Sequence, residues 1–208
     1  MATSALAKQF LEIITKRRSY YALSKDPILP DADLVKLVQA TVRQAPSSFN
    51  VQSSRVVILL GKEHDRYWGE TVPGALLAAK GEKAVTASKP KLDAFQAGYG
   101  TVLFFEDHKL IEGQQEQFPS YATEFPKWSF QSSGMAQVYT WTMLEAEGYG
   151  ANLQHYGNLT VETVRKQFNL PASYNLLSEM VFGTIANPAG EKTFVPDHER
   201  VIAFGHST

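Results

Sequence analysis

No unbroken apolar stretch in this chain is longer than five residues, and that limit decides much of what it can fold into. A membrane-crossing helix needs roughly 20 such residues, so none is predicted and no membrane partner is expected. The run Arg55-Val56-Val57-Ile58-Leu59-Leu60, β-branched and leucine-rich and closed by Gly61, suits a strand covered on both faces, and is expected to be a central strand. Thr101 to Phe105 reads as a second interior strand, with Leu176 to Ile185 and Val201 to Phe204 as further strand-like segments. The rest has helical spacing. Leu6, Phe10, Ile13 and Ile14 mark an amphipathic helix from Ala5 to Arg18, with Ser4 as N-cap and a cationic end. Asp31 to Gln44, following Pro30 and stopped before Pro46, is a second. Lys62 to Gly98 predicts short helices interrupted at Pro73-Gly74 and Lys89-Pro90. Ser133 to Glu147 predicts an apolar helix closed by Gly148, and Thr160 is expected to cap one ending near Asn169. Helices and non-adjacent strands without regular βαβ alternation predict an α+β fold. No repeat or linker divides the 208 residues, so a single domain, 1–208, is expected.

Composition removes several kinds of chemistry. With 20 basic against 21 acidic residues, and no basic run, nothing here suits counterion-release binding to a nucleic acid. The absence of cysteine excludes disulfides, thiolate nucleophiles, Cys-ligated zinc and iron–sulfur clusters. Redox chemistry would therefore need a bound cofactor. The five histidines, His64, His108, His155, His198 and His206, show no metal-ligand spacing, so no metal is expected. There is no GxSxG elbow and no phosphate-binding Walker loop, and the Gly98-Tyr99-Gly100 and Gly148-Tyr149-Gly150 pairs lack the third glycine of a dinucleotide fingerprint. Met1 to Lys16 lacks a basic region followed by an apolar block, so no secretory signal is read and a cytoplasmic location is expected.

Three segments are rich in groups that can hold a planar, phosphorylated ligand. Arg17-Arg18-Ser19 offers two guanidinium forks and a hydroxyl, although cations also simply favour a helix C-terminus. Pro46-Ser47-Ser48-Phe49-Asn50-Val51-Gln52 gathers small hydroxyls and amides just before a buried strand, and would equally serve as a plain turn. Gly148-Tyr149-Gly150-Ala151-Asn152-Leu153-Gln154-His155-Tyr156 leads from a capped helix end through a short strand to polar and aromatic side chains. The helix before it carries almost no charge ahead of Glu145, which suits a position between the sheet and another surface such as a second subunit.

In their order and spacing these three segments resemble the FMN-dependent nitroreductase family. They are most similar to its compact branch of fungal fatty-acid-repression-type proteins and small bacterial nitroreductases. The resemblance runs from about Phe10 to Phe204, and Leu153-Gln154-His155-Tyr156 is its most specific element. It implies a central mixed or antiparallel sheet flanked by helices, and a homodimer with flavin sites at the subunit interface. Arg17, Arg18 and Ser19 would meet the phosphate and ribityl end of FMN. Pro46, Ser47, Ser48, Asn50 and Gln52 would reach the flavin of the partner subunit. Backbone amides around Gln154 and His155 would approach the reactive ring edge, and Lys192 and Arg200 would close around the phosphate. No side chain is assigned as catalytic, because flavin N5 would carry the hydride from NADH or NADPH, in a ping-pong cycle, to a small-molecule acceptor such as a nitroaromatic compound or a quinone. Phe118, Tyr121, Phe125 and Trp128 are candidate wall residues for that acceptor. A non-catalytic FMN store or redox sensor would use the same cofactor site. Two departures stand out: many relatives have Gln-Pro at Gln52-Ser53, and the branch often has Asn-Pro after Tyr156, where this chain has Gly157.

Overall fold

The computed structural model describes residues 4–205; His206 lies outside them. Helix α1 (Ala5–Lys16) carries Ser4 as N-cap, its hydroxyl accepting from the Ala7 amide. The short strand β1 (Leu23–Ser24) and α2 (Asp31–Gln44) follow. Beyond β2 (Ser54–Leu60), α3 (Gly61–Arg66) runs through a π-helical turn, Tyr67–Thr71, into α4 (Val72–Lys80) and then α5 (Glu82–Gln96). The chain continues as β3 (Gly100–Asp107), α6 (His108–Gln117), α7 (Phe125–Ala146), β4 (Tyr149–Gln154), α8 (Gly157–Phe168), β5 (Tyr174–Ile185) and the single turn α9 (Asp197–Arg200).

The five strands form one antiparallel sheet in which β5 is the hub. Thr184 pairs with Ser24 on one side and Tyr149 on the other, while β3 pairs with β5 from Gly100↔Phe182 to Asp107↔Tyr174. Side chains alternate between two cores. Leu103 and Phe105 point to the side covered by α3, the π turn, α4, α5 and α8, where Trp68, Phe95 and Val164 are buried. Val102 and Phe104 point to the side covered by α2 and α7, where Leu34, Val38 and Leu144 are buried. Each such side chain removed from water contributes about 1.5–3 kcal/mol. This α+β arrangement of sheet and helices is the one the sequence predicts.

Several boundaries differ from expectation, each for a local reason. The run at β2 does not make a central strand: β2 pairs only with β3 and lies at the sheet edge. Its continuous apolar character arises because Val57 and Leu59 face one core while Val56, Ile58 and Leu60 face the other, so it reports cover on both faces and not lateral position. Pro126 occupies the first turn of α7, where its missing N–H is tolerated, so this helix starts eight residues before the predicted Ser133. Pro73 likewise sits in the first turn of α4, whereas Pro90 is accommodated inside α5. Thr160 is not an N-cap; it lies inside α8 and its hydroxyl donates to the Tyr156 carbonyl. Val201 to Phe204 forms no strand and is exposed.

Candidate functional site

At the end of α1 the chain turns and runs beside β4. Ser19 forms a bridge with Ala151, the Tyr20 amide donates to the Ala151 carbonyl at 3.0 Å, and the Asn152 side-chain amide donates to the Tyr20 carbonyl at 2.7 Å. This close approach explains Gly150. A Cβ there would lie 2.7 Å from Ile185 and 2.9 Å from Tyr20, so only glycine lets the Arg17–Tyr20 segment dock. The docked segment forms one wall of a cleft of about 530 Å³; the loop from Asn187 to Lys192 forms the other. Arg17, Arg18, Ser19 and Lys192, four of the residues singled out in the sequence, thus meet in one place, with Glu191 as the opposing charge. The Arg18 guanidinium donates to the Gly190 carbonyl at 2.5 Å and ties the walls together. Arg17 stacks over the Trp141 ring at 4.6 Å, a cation–π contact that fixes its stem. Glu145 accepts from the Tyr20 hydroxyl at 3.3 Å, and burial holds its carboxyl above the usual range despite the nearby Arg17. Arg200, on α9, is exposed and does not line this cleft.

Tyr21 links this cleft to a second of about 460 Å³, whose lining includes Tyr21, Lys91, Phe95, Leu153 and Gln154. Gln154 donates through its side chain back to Asn152 at 2.8 Å, and His155 beyond it is exposed. Sequence reading singled out neither Tyr21 nor Lys91. The only signal for Lys91 is its position one residue after the helix-interior Pro90, and that says nothing about which cleft it faces.

The Pro46–Gln52 segment lines a separate cleft of about 370 Å³, together with Arg43 and Arg55, and shares no lining residue with the first two. Its backbone is unusual, since Phe49, Asn50 and Gln52 have φ of 53°, 54° and 51°. Such left-handed conformations cost roughly 1 kcal/mol or more each in a non-glycine residue. They are held by the Ser47 carbonyl accepting from the Asn50 amide at 3.0 Å and the Ser47 hydroxyl accepting from the Gln52 amide at 2.9 Å. The Ser53 and Ser54 hydroxyls each donate to the buried Glu106 carboxylate at 2.5 Å, so the serine at the position where many relatives carry proline anchors the loop exit by a hydrogen bond. The turn also throws Phe49 onto the four aromatics named as wall candidates: its ring centroid lies 4.8 Å from Phe118, 5.4 Å from Phe125, 6.0 Å from Tyr121 and 6.1 Å from Trp128. Among the described residues no three His, Asp or Glu side chains converge on a point that could hold a metal ion, and no helix is long and apolar enough to cross a membrane.

An antiparallel sheet between two helical layers, with a cleft lined by Arg17, Arg18 and Lys192 beside β4, defines the class of fold as α+β. Residues 14–184 match the nitroreductase family model. The putative nitroreductase HBN1 of Saccharomyces cerevisiae is 36% identical over 197 residues, spanning 93% of this chain and 96% of that protein. Nitroreductase CinD from Lactococcus lactis superposes with a TM-score of 0.88 in its complex with nicotinic acid, at 43% identity, and 0.86 in its complex with 4-nitrophenol, at 42%; both cover 94% of this chain and 100% of that one. The chain belongs to the nitroreductase family and has its fold, which makes it an oxidoreductase by family.

Proposed function

We propose that the protein is a homodimeric FMN-dependent oxidoreductase that uses NADH or NADPH to reduce nitroaromatic compounds or quinones. The observation that carries this reading is the meeting of Arg17, Arg18, Ser19 and Lys192 in one cleft, with Tyr21 lining both it and the second cleft that holds Gln154. The donor set suits FMN. Two guanidiniums, an ammonium and a hydroxyl match a dianionic phosphate through charge-assisted hydrogen bonds, and the adjoining cleft has the aromatic and aliphatic walls a flat ring needs. Bound FMN supplies the hydride acceptance and release that no side chain of this chain provides.

The chain's own residues orient and tune. Arg17, pre-positioned by Trp141, and Arg18, braced on Gly190, hold the phosphate without having to reorganise on binding. Backbone amides around Gln154 and His155 would offer donors toward developing negative charge at the ring edge, and Lys91, which lines the same cleft as Gln154, adds a cation. In the proposed dimer the Pro46–Gln52 loop, which lines a cleft of its own, serves the site of the second copy, together with the aromatic group around Phe49. Flat, electron-poor acceptors suit such a wall, and the nicotinic acid and 4-nitrophenol held by the CinD structures are small flat aromatics.

A second copy also accounts for the apolar surface. Helix α1 buries no residue within one protomer and exposes Leu6, Phe10 and Leu11, while α7 exposes Phe130 and Val138. These faces belong to the same elements that present Arg17 and the aromatic wall, so their burial would assemble the site as it forms the dimer. The decisive experiment is the visible spectrum of the purified protein with FMN. Flavin bleached anaerobically by NADH or NADPH and reoxidised by a nitroaromatic supports the reading. Bound flavin lacking either half-reaction points instead to storage or sensing, and failure to bind FMN refutes the proposal.

A further inference from the structure

Glu179 sits at the middle of β5, paired with Leu103 of β3 and Gln154 of β4, and is fully buried. Its carboxylate accepts from the Tyr67 hydroxyl at 2.9 Å and from the Tyr156 backbone amide at 3.0 and 3.2 Å. The Tyr67 oxygen lies 3.1 Å from the Thr160 hydroxyl, which donates to the Tyr156 carbonyl at 3.1 Å. Both backbone groups of Tyr156 are therefore held, the amide by Glu179 and the carbonyl by Thr160. Among the described residues no cation is within ion-pair distance of Glu179. Of the elements packed on it, β3 contributes Leu103, β4 Gln154 and α8 Thr160, none of which titrates. The titratable groups acting on it are the phenols of Tyr67 and Tyr156.

A buried carboxylate without a countercharge costs stability, and this one is held by hydrogen-bond donors alone. Its geometry shows what it does. Tyr156 is the turn residue between β4 and α8, and the two residues before it are Gln154 and His155. Fixing the Tyr156 amide fixes the direction of the peptide groups just ahead of it.

We propose that Glu179 is a positioning residue: it clamps the β4–α8 turn, through that turn sets the aim of the Gln154 and His155 amides, and links that aim to the proton on its own carboxyl. This deepens the flavin reading and rests on it for the redox consequence, while the clamp itself does not need the cofactor. Ionised Glu179 holds the Tyr156 amide and adds negative charge beneath the turn; protonated Glu179 loosens the hold and removes the charge. Electrons arriving on a ring at that turn would then be accompanied by a proton taken up at Glu179, and the flavin would be harder to reduce where Glu179 is ionised.

The test uses the full chain labelled with 15N-tyrosine. Without added flavin, the Tyr156 amide resonance should titrate with a midpoint near 7, where burial has pushed the Glu179 carboxyl. The titration should vanish in Glu179→Gln. In Tyr67→Phe, which loses a donor to the carboxylate but keeps the packing, it should move to higher pH; this variant decides the matter if the glutamine variant does not fold. With FMN bound, the midpoint potentials of Glu179→Gln and the parent should agree at pH 5.5 and separate at pH 8.5. There the variant is expected to favour reduction by about tenfold in the ratio of reduced to oxidised flavin, roughly 30 mV for a two-electron couple. A Tyr156 amide indifferent to pH in the parent, or unchanged potentials at both pH values, overturns the proposal. A chain that takes up no FMN refutes the functional reading alone, and the amide titration then judges the clamp by itself.

Discussion

Acidifying this protein from pH 6.5 to 4.5 drives two buried groups in opposite directions, and replacing either one should expose the other. His64 is buried beside β3, its Nδ1 2.9 Å from the Thr101 hydroxyl, and burial lowers its pKa from 6.5 to about 4. Glu179 is buried on β5, and burial raises its pKa from 4.5 to about 7. At about 1.36 kcal/mol for each tenfold change in proton affinity, each displacement corresponds to roughly 3 kcal/mol. For His64 the unfolded chain binds the proton first, so its contribution is complete above pH 6.5 and is lost as pH falls toward 4. For Glu179 the folded chain binds the proton first, so its contribution is complete below pH 4.5 and is lost as pH rises toward 7. Between pH 4.5 and 6.5 the two slopes, each about 1.4 kcal/mol per pH unit, oppose one another and nearly cancel. In Glu179→Gln, unfolding free energy should therefore rise with pH relative to the parent, by about 2–3 kcal/mol across that window. In His64→Gln it should fall by a similar amount. Urea unfolding followed by tryptophan fluorescence at a series of pH values measures both, and the variant-minus-parent difference removes the carboxylates common to all. Curves for Glu179→Gln that run parallel to the parent's would mean that the buried carboxyl titrates normally, and would refute the reasoning.

Removing either guanidinium from the cationic cleft should weaken FMN retention by roughly ten- to hundredfold, since a charged hydrogen bond contributes about 1.5–3 kcal/mol. Arg18→Ala should be the more damaging because it also releases the Gly190 loop; fluorescence titration would check both. Gly150→Ala forces a methyl into Tyr20 and Ile185 and should cost about 1–3 kcal/mol in unfolding free energy, with loss of flavin from the displaced arginine segment. Phe49→Ala removes one ring from a half-exposed aromatic group, so KM for nitroaromatics should rise several-fold while flavin affinity and melting temperature stay near the parent's. Sedimentation at low micromolar concentration should report a dimer, whereas a flavin-loaded monomer would contradict a site built from two chains.

The elements were legible wherever their signal was local. The α+β class, α1 with its Ser4 cap, α2 between Pro30 and Pro46 and the interior position of β3 all follow from periodicity and end signals. The lateral place of β2 was not legible, because its alternating side chains record the helices above and below it, whereas the pairing that puts it at the edge is a property of β3. A proline misled in the same way. Pro73 reads as a break, yet a proline in a first turn starts a helix as readily as one beyond a last turn ends it.

The site divides along the same line. Arg17, Arg18 and Ser19 are contiguous and cationic, so the segment announces itself, and the structure brings Lys192 to it across more than 170 positions. Lys91 and Tyr21 face the adjoining cleft only because α5 packs beside the end of β4, which no short motif records. Glu179 is the extreme case. In Leu177-Ser178-Glu179-Met180-Val181 alternation puts the acid on one strand face with Leu177 and Val181, and nothing in the letters says which donors would meet it there. Here β5 is covered on both faces, so the same letter becomes a buried acid that must find partners. The ones it finds, a phenol from the π turn and the amide that opens α8, make it the link between the sheet's centre and the turn where the chemistry is proposed to occur.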